Sequence, residues 1–449
     1  MKNLTFARLA EITGAQGINL PAGEVSHIVT DSRRVTPGCL FTALVGERAD
    51  GHDFAAECVK NGAGAVLCQR RMGELPQLLV PDTAAALRSI AGYWRRQFSI
   101  PVLGVTGSVG KTTAKEMLAA VLEARGPTLK TEKNFNNELG VPLTLFRLTP
   151  EHETAVVEMG ISHFGEMRVL AEMVRPTIAV YTTIGDAHLE FLGDRDGVLR
   201  AKSELLEYLA PDGVVIVNGD DERLRAHAFG RRTIRCGLSA GCDVRAENPR
   251  PAADGGTDFT LCLSAWRGEA HIGAYGRHLV TAALLAAAAG EELGLTPEQI
   301  LRGIQSYTPG EGRANLKKLP SLTVVDDCYN ANPTSVRAGI DSLTTLPGAK
   351  RRVCVLGDML ELGPRGAELH AEIGAYAAQR TDLVLACGTL SRHMAQAAGE
   401  KGRWFATVEE LLEKLPQYIR SGDAVLVKAS RGMRFERVCE ALAGLRWDC

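Results

Sequence analysis

The run beginning at Val102, VLGVTGSVGKTTAKEML, carries the clearest chemistry in the chain. An apolar strand leads into Gly107-Ser108-Val109-Gly110-Lys111-Thr112-Thr113, and a helical pattern follows. A loop poor in Cβ atoms lets backbone N–H groups turn inward toward phosphate oxygens, and the start of the following helix adds its positive dipole end. A lysine there neutralises phosphate charge, and the hydroxyl after it is placed for Mg²⁺. The glycines fall at 104, 107 and 110, and Val105 stands where the strict phosphate-loop pattern has its first glycine.

Other candidates sit near expected strand ends, where ligands gather in open α/β sheets. Glu158 closes the apolar run AVVEM and can face a metal ion or act as a simple exposed acid. His188, in TTIGDAHLEF, stands just after another strand end and reads as a ligand contact or as a histidine at a helix start satisfied by backbone. Asp326 and Asp327 end another apolar run and precede Tyr329, Asn330, Asn332 and Pro333. A carboxylate there can accept bonds from a ribose and Asn330 can hold a ligand, while an Asx turn with a helix cap explains Asn332-Pro333. Arg313, beyond Gly310 and Gly312, either reaches a nucleotide phosphate or is a solvated linker charge. Ser32, Arg33, Asp50 and His52 lie in two loop-like stretches, DSRRVTPGCLFTAL and GERADGHDF, which suit a second anionic ligand or plain turn chemistry. On its own, Lys202 in LRAKSELLEYL reads as a surface lysine of a helix.

The elements that must position these residues alternate between short β-branched runs and helical patterns, the signature of parallel α/β sheets. Strands are expected from Pro101, Thr154, Thr177, Gly213, Leu322, Arg351, Asp382 and Asp423. Helices are expected after Lys111, closed by Gly126, and near 333–346, opened by Asn332-Pro333; Thr407 with Glu410 resembles a capping box. Three segments separate: 1–83, a small α/β region; 84–312, with a turn-rich β-like patch from Asp243 to Tyr275; and 313–449, a fresh run of β-α units. TPGEGRANL is the expected hinge between the last two.

With 449 residues, about two to four domains are expected at roughly 100–200 residues each. The near balance of 51 basic and 53 acidic residues argues against bulk nucleic-acid binding, which needs a basic face. The 11 cysteines are scattered, with no C-x-x-C pair, and read as reduced thiols rather than a disulfide framework or zinc site. The N-terminus has no apolar signal region, and the Ala-rich stretch Leu279–Gly290 is too short to span a bilayer, so a cytoplasmic protein without membrane insertion is expected.

Taken in order, these segments resemble the Mur ligases over essentially the whole chain. DSRRVTPGCLFTALVGERADGHDF is similar to the family's uridine-nucleotide domain, GVTGSVGKTTAKE to its ATP loop, and KNFNNELGVPLTL to the segment after it. VEMG, HFGEM, AHLEFLG, RAKSEL and LVKASRGMRFERV follow as in the family. DDCYNANPTS and LGDMLELGPRGAELH point to the branch that adds a dipeptide. The resemblance implies an N-terminal UDP-sugar domain, a central P-loop-type parallel-sheet ATPase domain and a C-terminal Rossmann-like α/β domain that binds the dipeptide. It implies an ATP- and Mg²⁺-dependent ligase that adds D-alanyl-D-alanine to UDP-MurNAc-tripeptide through an acyl phosphate, acting as a monomer.

By matching positions, the resemblance implies that Lys111 neutralises the β- and γ-phosphates, with Thr112 on Mg²⁺. Glu158 and His188 would hold metal ions, and Lys202 would carry a carbamate that helps place a second one. Arg313 would contact phosphate and Asp327 the ribose. Ser32 and Arg33 would lie near the uridine nucleotide, and Lys428, Ser430 and Arg431 would help bind the dipeptide. Leu279, Ala282 and Thr183 depart from the family's usual asparagines, which leaves adenine recognition open. Two other readings stand beside this one: a sister ligase adding a single amino acid, such as a folylpolyglutamate-synthetase-like enzyme, and a P-loop nucleotide switch.

Overall fold

The computed structural model describes residues 1–46, 49–310, 312–313 and 315–445. Glu311 and Ala314 of the expected hinge, and Glu47 and Arg48 of the expected uridine-nucleotide loop, lie outside the described residues.

Three sheets follow one another along the chain. The first has the strand order Gln16–Ile18, Gln77–Leu79, Ala65–Cys68, Leu40–Thr42, Ile28–Val29, and is parallel except for its first strand. The second, of nine strands, places Val102–Thr106 between Ile178–Tyr181 and Thr154–Glu158. Its far edge is the β-like patch expected from Asp243 onward. Val244–Pro251 continues the parallel run, and Thr257–Cys262 and Arg267–Ile272 fold back antiparallel. The third sheet has six strands, with Asp423–Lys428 between Thr323–Asp326 and Arg351–Gly357.

Fully buried strands need no alternation of polar and apolar residues when helices cover both faces. Val102–Thr106, Thr154–Glu158, Ile178–Tyr181 and Asp423–Lys428 are buried at every position. Against this core lies the helix Lys111–Leu122, whose Ala114, Met117, Leu118, Val121 and Leu122 form one apolar stripe. It packs on Arg277–Glu292, where Leu279 to Ala289 are all buried apart from Thr281, so the Ala-rich stretch is a core helix. Among the described residues no helix is long and apolar enough to cross a membrane.

Two sequence expectations about helix ends are corrected. Gly126 lies beyond the helix that it was expected to close, which ends at Leu122. The box at Thr407 is half formed: Thr407 Oγ1 accepts from Glu410 N–H, but Glu410 Oε2 accepts from Ala406 N–H instead of closing on Thr407. At Asn332 the reciprocal pair with Ser335 is complete and Pro333 opens the helix Pro333–Thr344. The helix Thr83–Arg95, capped by Asp82, follows the last strand of the first sheet and reaches the chain of the second, for Trp94 Nε1 donates to Leu148 O at 3.2 Å.

Candidate active site

The carboxyl ends of three adjacent central strands open toward one cleft of about 290 Å³. The loop 107–110 is built to pass close to its neighbours. Gly107 has φ 148°, and a Cβ there would collide with Thr182 Oγ1; Gly110, at φ 84°, caps the helix. Ser108 locks the loop to the next strand end: its N–H donates to Thr183 O at 2.7 Å, and its hydroxyl pairs with both backbone groups of Gly185. Lys111 Nζ donates to Gly107 O at 2.7 Å, so the lysine curls over its own loop. Its surface is only partly covered, but the atoms around it are dense. Burial lowers its pKa, Glu158 raises it, and Arg313 lowers it further.

Glu158 is buried, and Asn136 Nδ2 donates to its Oε1 at 2.8 Å. Its Oε2 has no hydrogen-bond partner. An orphaned carboxylate oxygen facing a cleft is the kind of group a cation satisfies. Thr112 Oγ1 accepts from Arg313 Nη2 at 3.1 Å, which ties the expected hinge arginine to the phosphate loop. His188, in a left-handed conformation at φ 55°, places Nδ1 2.7 Å from Glu361 Oε2, close enough for an ion pair but not aligned as a hydrogen bond. Thr112 Oγ1 and Glu158 line the cleft together at the phosphate loop, two hard oxygen donors of the kind a divalent cation takes, while His188 is not among the residues lining it.

Lys202 is only 1% exposed. Burial is the largest cause holding its pKa well below the usual 10.5, and the charge of Lys111 pushes the same way. The surface reading of Lys202 is therefore corrected. The helix Arg195–Ser203 turns this lysine inward, and no ion pair with it is found among the described residues.

The third sheet completes the cleft. Pairing of Asp326 with Val427 sets Asp327 beside Lys428, whose Nζ lies 2.5 Å from Asp327 Oδ2 and donates to Asn330 O at 2.9 Å. Arg313, Asp327, Asn330 and Lys428 thus line one space with the phosphate loop and Glu158. Thr183 and Ala282 line it too, while Leu279 is buried in the core. Ser430 and Arg431 lie just beyond. The Ser430 hydroxyl accepts from Leu360 N–H and donates to Ala331 O, and Arg431 is largely exposed.

The first-domain candidates form a separate group. Asp31 caps the turn Ser32–Arg34 and takes a bidentate bond from Arg33, which holds its carboxyl down to about 2. The Arg33 side chain is 86% exposed. Asp50 binds Arg70 and His52. His52 is buried. Its Nε2 accepts from Gln69 N–H at 2.9 Å, so Nδ1 carries the proton donated to Asp50. With both ring nitrogens engaged inside the protein, His52 braces the loop instead of offering a nitrogen to a ligand.

Sequence reading missed three features. Tyr329 lies under the guanidinium of Arg313 at 3.8 Å, and Glu361 reaches His188 from the third domain. Asp326, Cys328 and Cys439, all buried, bring three ligand atoms within 4.8 Å although the cysteines are far apart in sequence. Asp326 there is already paired with Lys317 at 2.7 Å and accepts from the Cys328 thiol. The signal for Tyr329 was its place two residues after the strand-end acid Asp327.

Residues 24–94, 105–290 and 312–431 match, in turn, the Mur ligase family catalytic domain, the Mur ligase middle domain and the Mur ligase glutamate ligase domain. The chain is 37% identical to the UDP-N-acetylmuramoyl-tripeptide–D-alanyl-D-alanine ligase of Escherichia coli (strain K12), over 98% of this chain and 99% of that one. The fold superposes on a crystal structure of MurF from Acinetobacter baumannii with TM-score 0.92 at 34% identity, covering 98% and 99% of the two chains. It is also similar to the MurF ligase of Thermotoga maritima in complex with ADP, with TM-score 0.85 at 29% identity, covering 93% and 97%.

Proposed function

This chain belongs to the Mur ligase family, and we propose that its cleft activates a peptide carboxylate with ATP and hands it to an incoming amine. It is an ATP-dependent ligase that adds D-alanyl-D-alanine to UDP-N-acetylmuramoyl-tripeptide, a step of peptidoglycan synthesis. One observation carries the residue-level reading. The phosphate loop and Glu158 of the central domain share a single cleft with Asp327, Asn330 and Lys428 of the last domain, bridged by Arg313.

The tripeptide carboxylate attacks the γ-phosphorus of ATP, an O–P bond forms, and ADP departs with the electron pair of the broken bond. The amine of the dipeptide then attacks the acyl carbon, inorganic phosphate leaves, and the amine loses a proton. No enzyme nucleophile is required, so the protein's task is positioning and charge neutralisation. The N–H groups of 107–113 cradle the phosphates, Lys111 neutralises the β- and γ-oxygens, and Arg313 reaches the transferred group. Asp327 takes the ribose once its bond to Lys428 rearranges.

Thr112, Glu158 and His188 are the residues that would hold Mg²⁺, whose chemistry is to neutralise charge on the phosphoryl oxygens. The orphaned Glu158 Oε2 supports that assignment. Burial favours the unprotonated amine of Lys202, which is the form able to add CO₂, and a carbamate formed there would place an anion at this site. Ser32, Arg33 and Asp50 take the uridine nucleotide, whose diphosphate competes with Asp31 for Arg33. Lys428, Ser430 and Arg431 frame the dipeptide.

The test is release of phosphate with ATP, UDP-MurNAc-tripeptide and D-alanyl-D-alanine, each omitted in turn. Phosphate and a new amide bond are expected only with all three. ADP formed without a new amide bond would favour the nucleotide-switch reading instead.

A further inference from the structure

We infer that Tyr329 is a positioning residue of the ligase reaction: its ring holds Arg313 against the phosphate loop. The inference rests on the role given to Arg313 above.

Four observations meet at this side chain. The Arg313 guanidinium carbon lies 3.8 Å from the Tyr329 ring centroid, a close stacking distance for a cation on an aromatic face. The same guanidinium donates through Nη2 to Thr112 Oγ1 at 3.1 Å, so ring and hydroxyl hold it between them. Tyr329 N–H donates to Gly312 O at 3.2 Å, which fixes the backbone on which Arg313 is carried. Gly312 is left-handed at φ 64°, and a Cβ there would sit 3.3 Å from Tyr329 N. The hinge can approach the tyrosine this closely because it has a glycine there.

An arginine on a hinge has many rotamers, and restricting them before the phosphate arrives avoids an entropic loss in the transition state. The Tyr329 ring also gives a neutral surface to cations that otherwise repel one another. Lys111, Arg313 and Lys428 line the same cleft, and Arg431 lies 5.4 Å from the ring centroid. An aromatic face tolerates two guanidinium groups while leaving their N–H edges free for an anion, which a carboxylate in the same place would not do. Tyr329 belongs to the last domain and Thr112 to the central one, so the stack also links Arg313 placement to the approach of the two domains.

The experiment is a double-mutant cycle on the full chain with ATP and both peptide substrates. Tyr329→Phe keeps the face and is expected to stay within about twofold of the parent kcat. Tyr329→Leu loses it and is expected to lower kcat by about tenfold or more, the scale of a desolvated cation–π contact. In an Arg313→Ala background the same Leu substitution is expected to have almost no further effect, because the group it positions is gone. Should the Leu variant fail to fold, Tyr329→Gln takes its place in the cycle, with thermal unfolding as the check.

Independent effects of the two substitutions, multiplying in the double variant, would overturn the inference and leave the reading of Arg313 intact. A loss of kcat in Tyr329→Phe equal to that in Tyr329→Leu would also overturn it, since the hydroxyl would then be what matters. An Arg313→Ala enzyme with unchanged turnover would remove both the inference and the role given to Arg313.

Discussion

Lys202 is buried with the charge of Lys111 nearby, and among the described residues no ion pair with it is found. A buried amine in that position disfavours its own protonation, and the native state carries the cost. Replacing it by methionine, of similar shape and no charge, is expected to raise stability by about 1 kcal/mol or more at pH 7, measured by thermal unfolding in CO₂-free buffer. The sign with pH follows from the lowered native pKa. Between that value and about 10.5 the unfolded chain binds the proton and the native state does not, so stability of the parent rises with pH through this window. The advantage of Lys202→Met should therefore shrink as pH approaches 10.5, and an advantage that grows with pH would refute the burial argument. The same variant should lose nearly all ligation. Lys111 was legible in the sequence because glycines and threonines surround it locally. Lys202 was not, because only the tertiary fold decides which face of its helix is buried. The orphaned state of Glu158 Oε2 and the Arg313–Thr112 bond are set by how segments distant in sequence pack, and were not legible for the same reason.

At the scale of elements, the site forms where strands end and helices begin. The helix Pro333–Thr344 shows the division between structural and ligand roles. Asn332 Oδ1 accepts from Ser335 N–H at 2.8 Å, and the same residue lines the cleft. Asn332→Ala should lower the local protection of the first-turn amides by about 1 kcal/mol in hydrogen exchange, the usual worth of such a cap. Asn332→Asp keeps the cap and should keep the protection, but sets a negative charge facing phosphates and should raise KM for ATP severalfold. Equal protection in the Ala and Asp variants would show that the cap is not what orders this turn. Much at this scale could be read beforehand. The strands at Val102, Thr154, Thr323 and Asp423 follow from β-branched runs, and the β character of 244–272, though not its hairpin pairing, from a turn-rich β-like pattern. Which strands are neighbours could not be read, because pairing of Asp423–Lys428 beside Thr323–Asp326 spans a long stretch of chain. That pairing is what sets Lys428 against Asp327.

At the scale of the molecule, the proposed site is completed where the last domain meets the central one. Besides Arg313 on Thr112, Asp186 N–H donates to Thr334 Oγ1 at 3.3 Å, Tyr275 and Thr345 share a hydroxyl–hydroxyl bond of 2.5 Å, and Glu361 reaches His188. A close approach falls at Gly185, where an added Cβ would run into the side chain of Thr334. Gly185 is also bonded through both backbone groups to Ser108, so it sits between the phosphate loop and the third domain. Gly185→Ala acts as a wedge. The loop should still bind ATP within about threefold, since its own contacts are intact, while turnover falls by about tenfold or more because Arg313, Asp327 and Lys428 are displaced from it. X-ray scattering should show a larger radius of gyration in the variant with ATP bound. Thr334→Gly removes the colliding atoms, and in the double variant it should recover most of the turnover at a helix cost of about 1 kcal/mol. If the double variant stays as slow as Gly185→Ala alone, the damage lies in the Ser108 contact within the loop, and domain approach is not what the wedge disturbs.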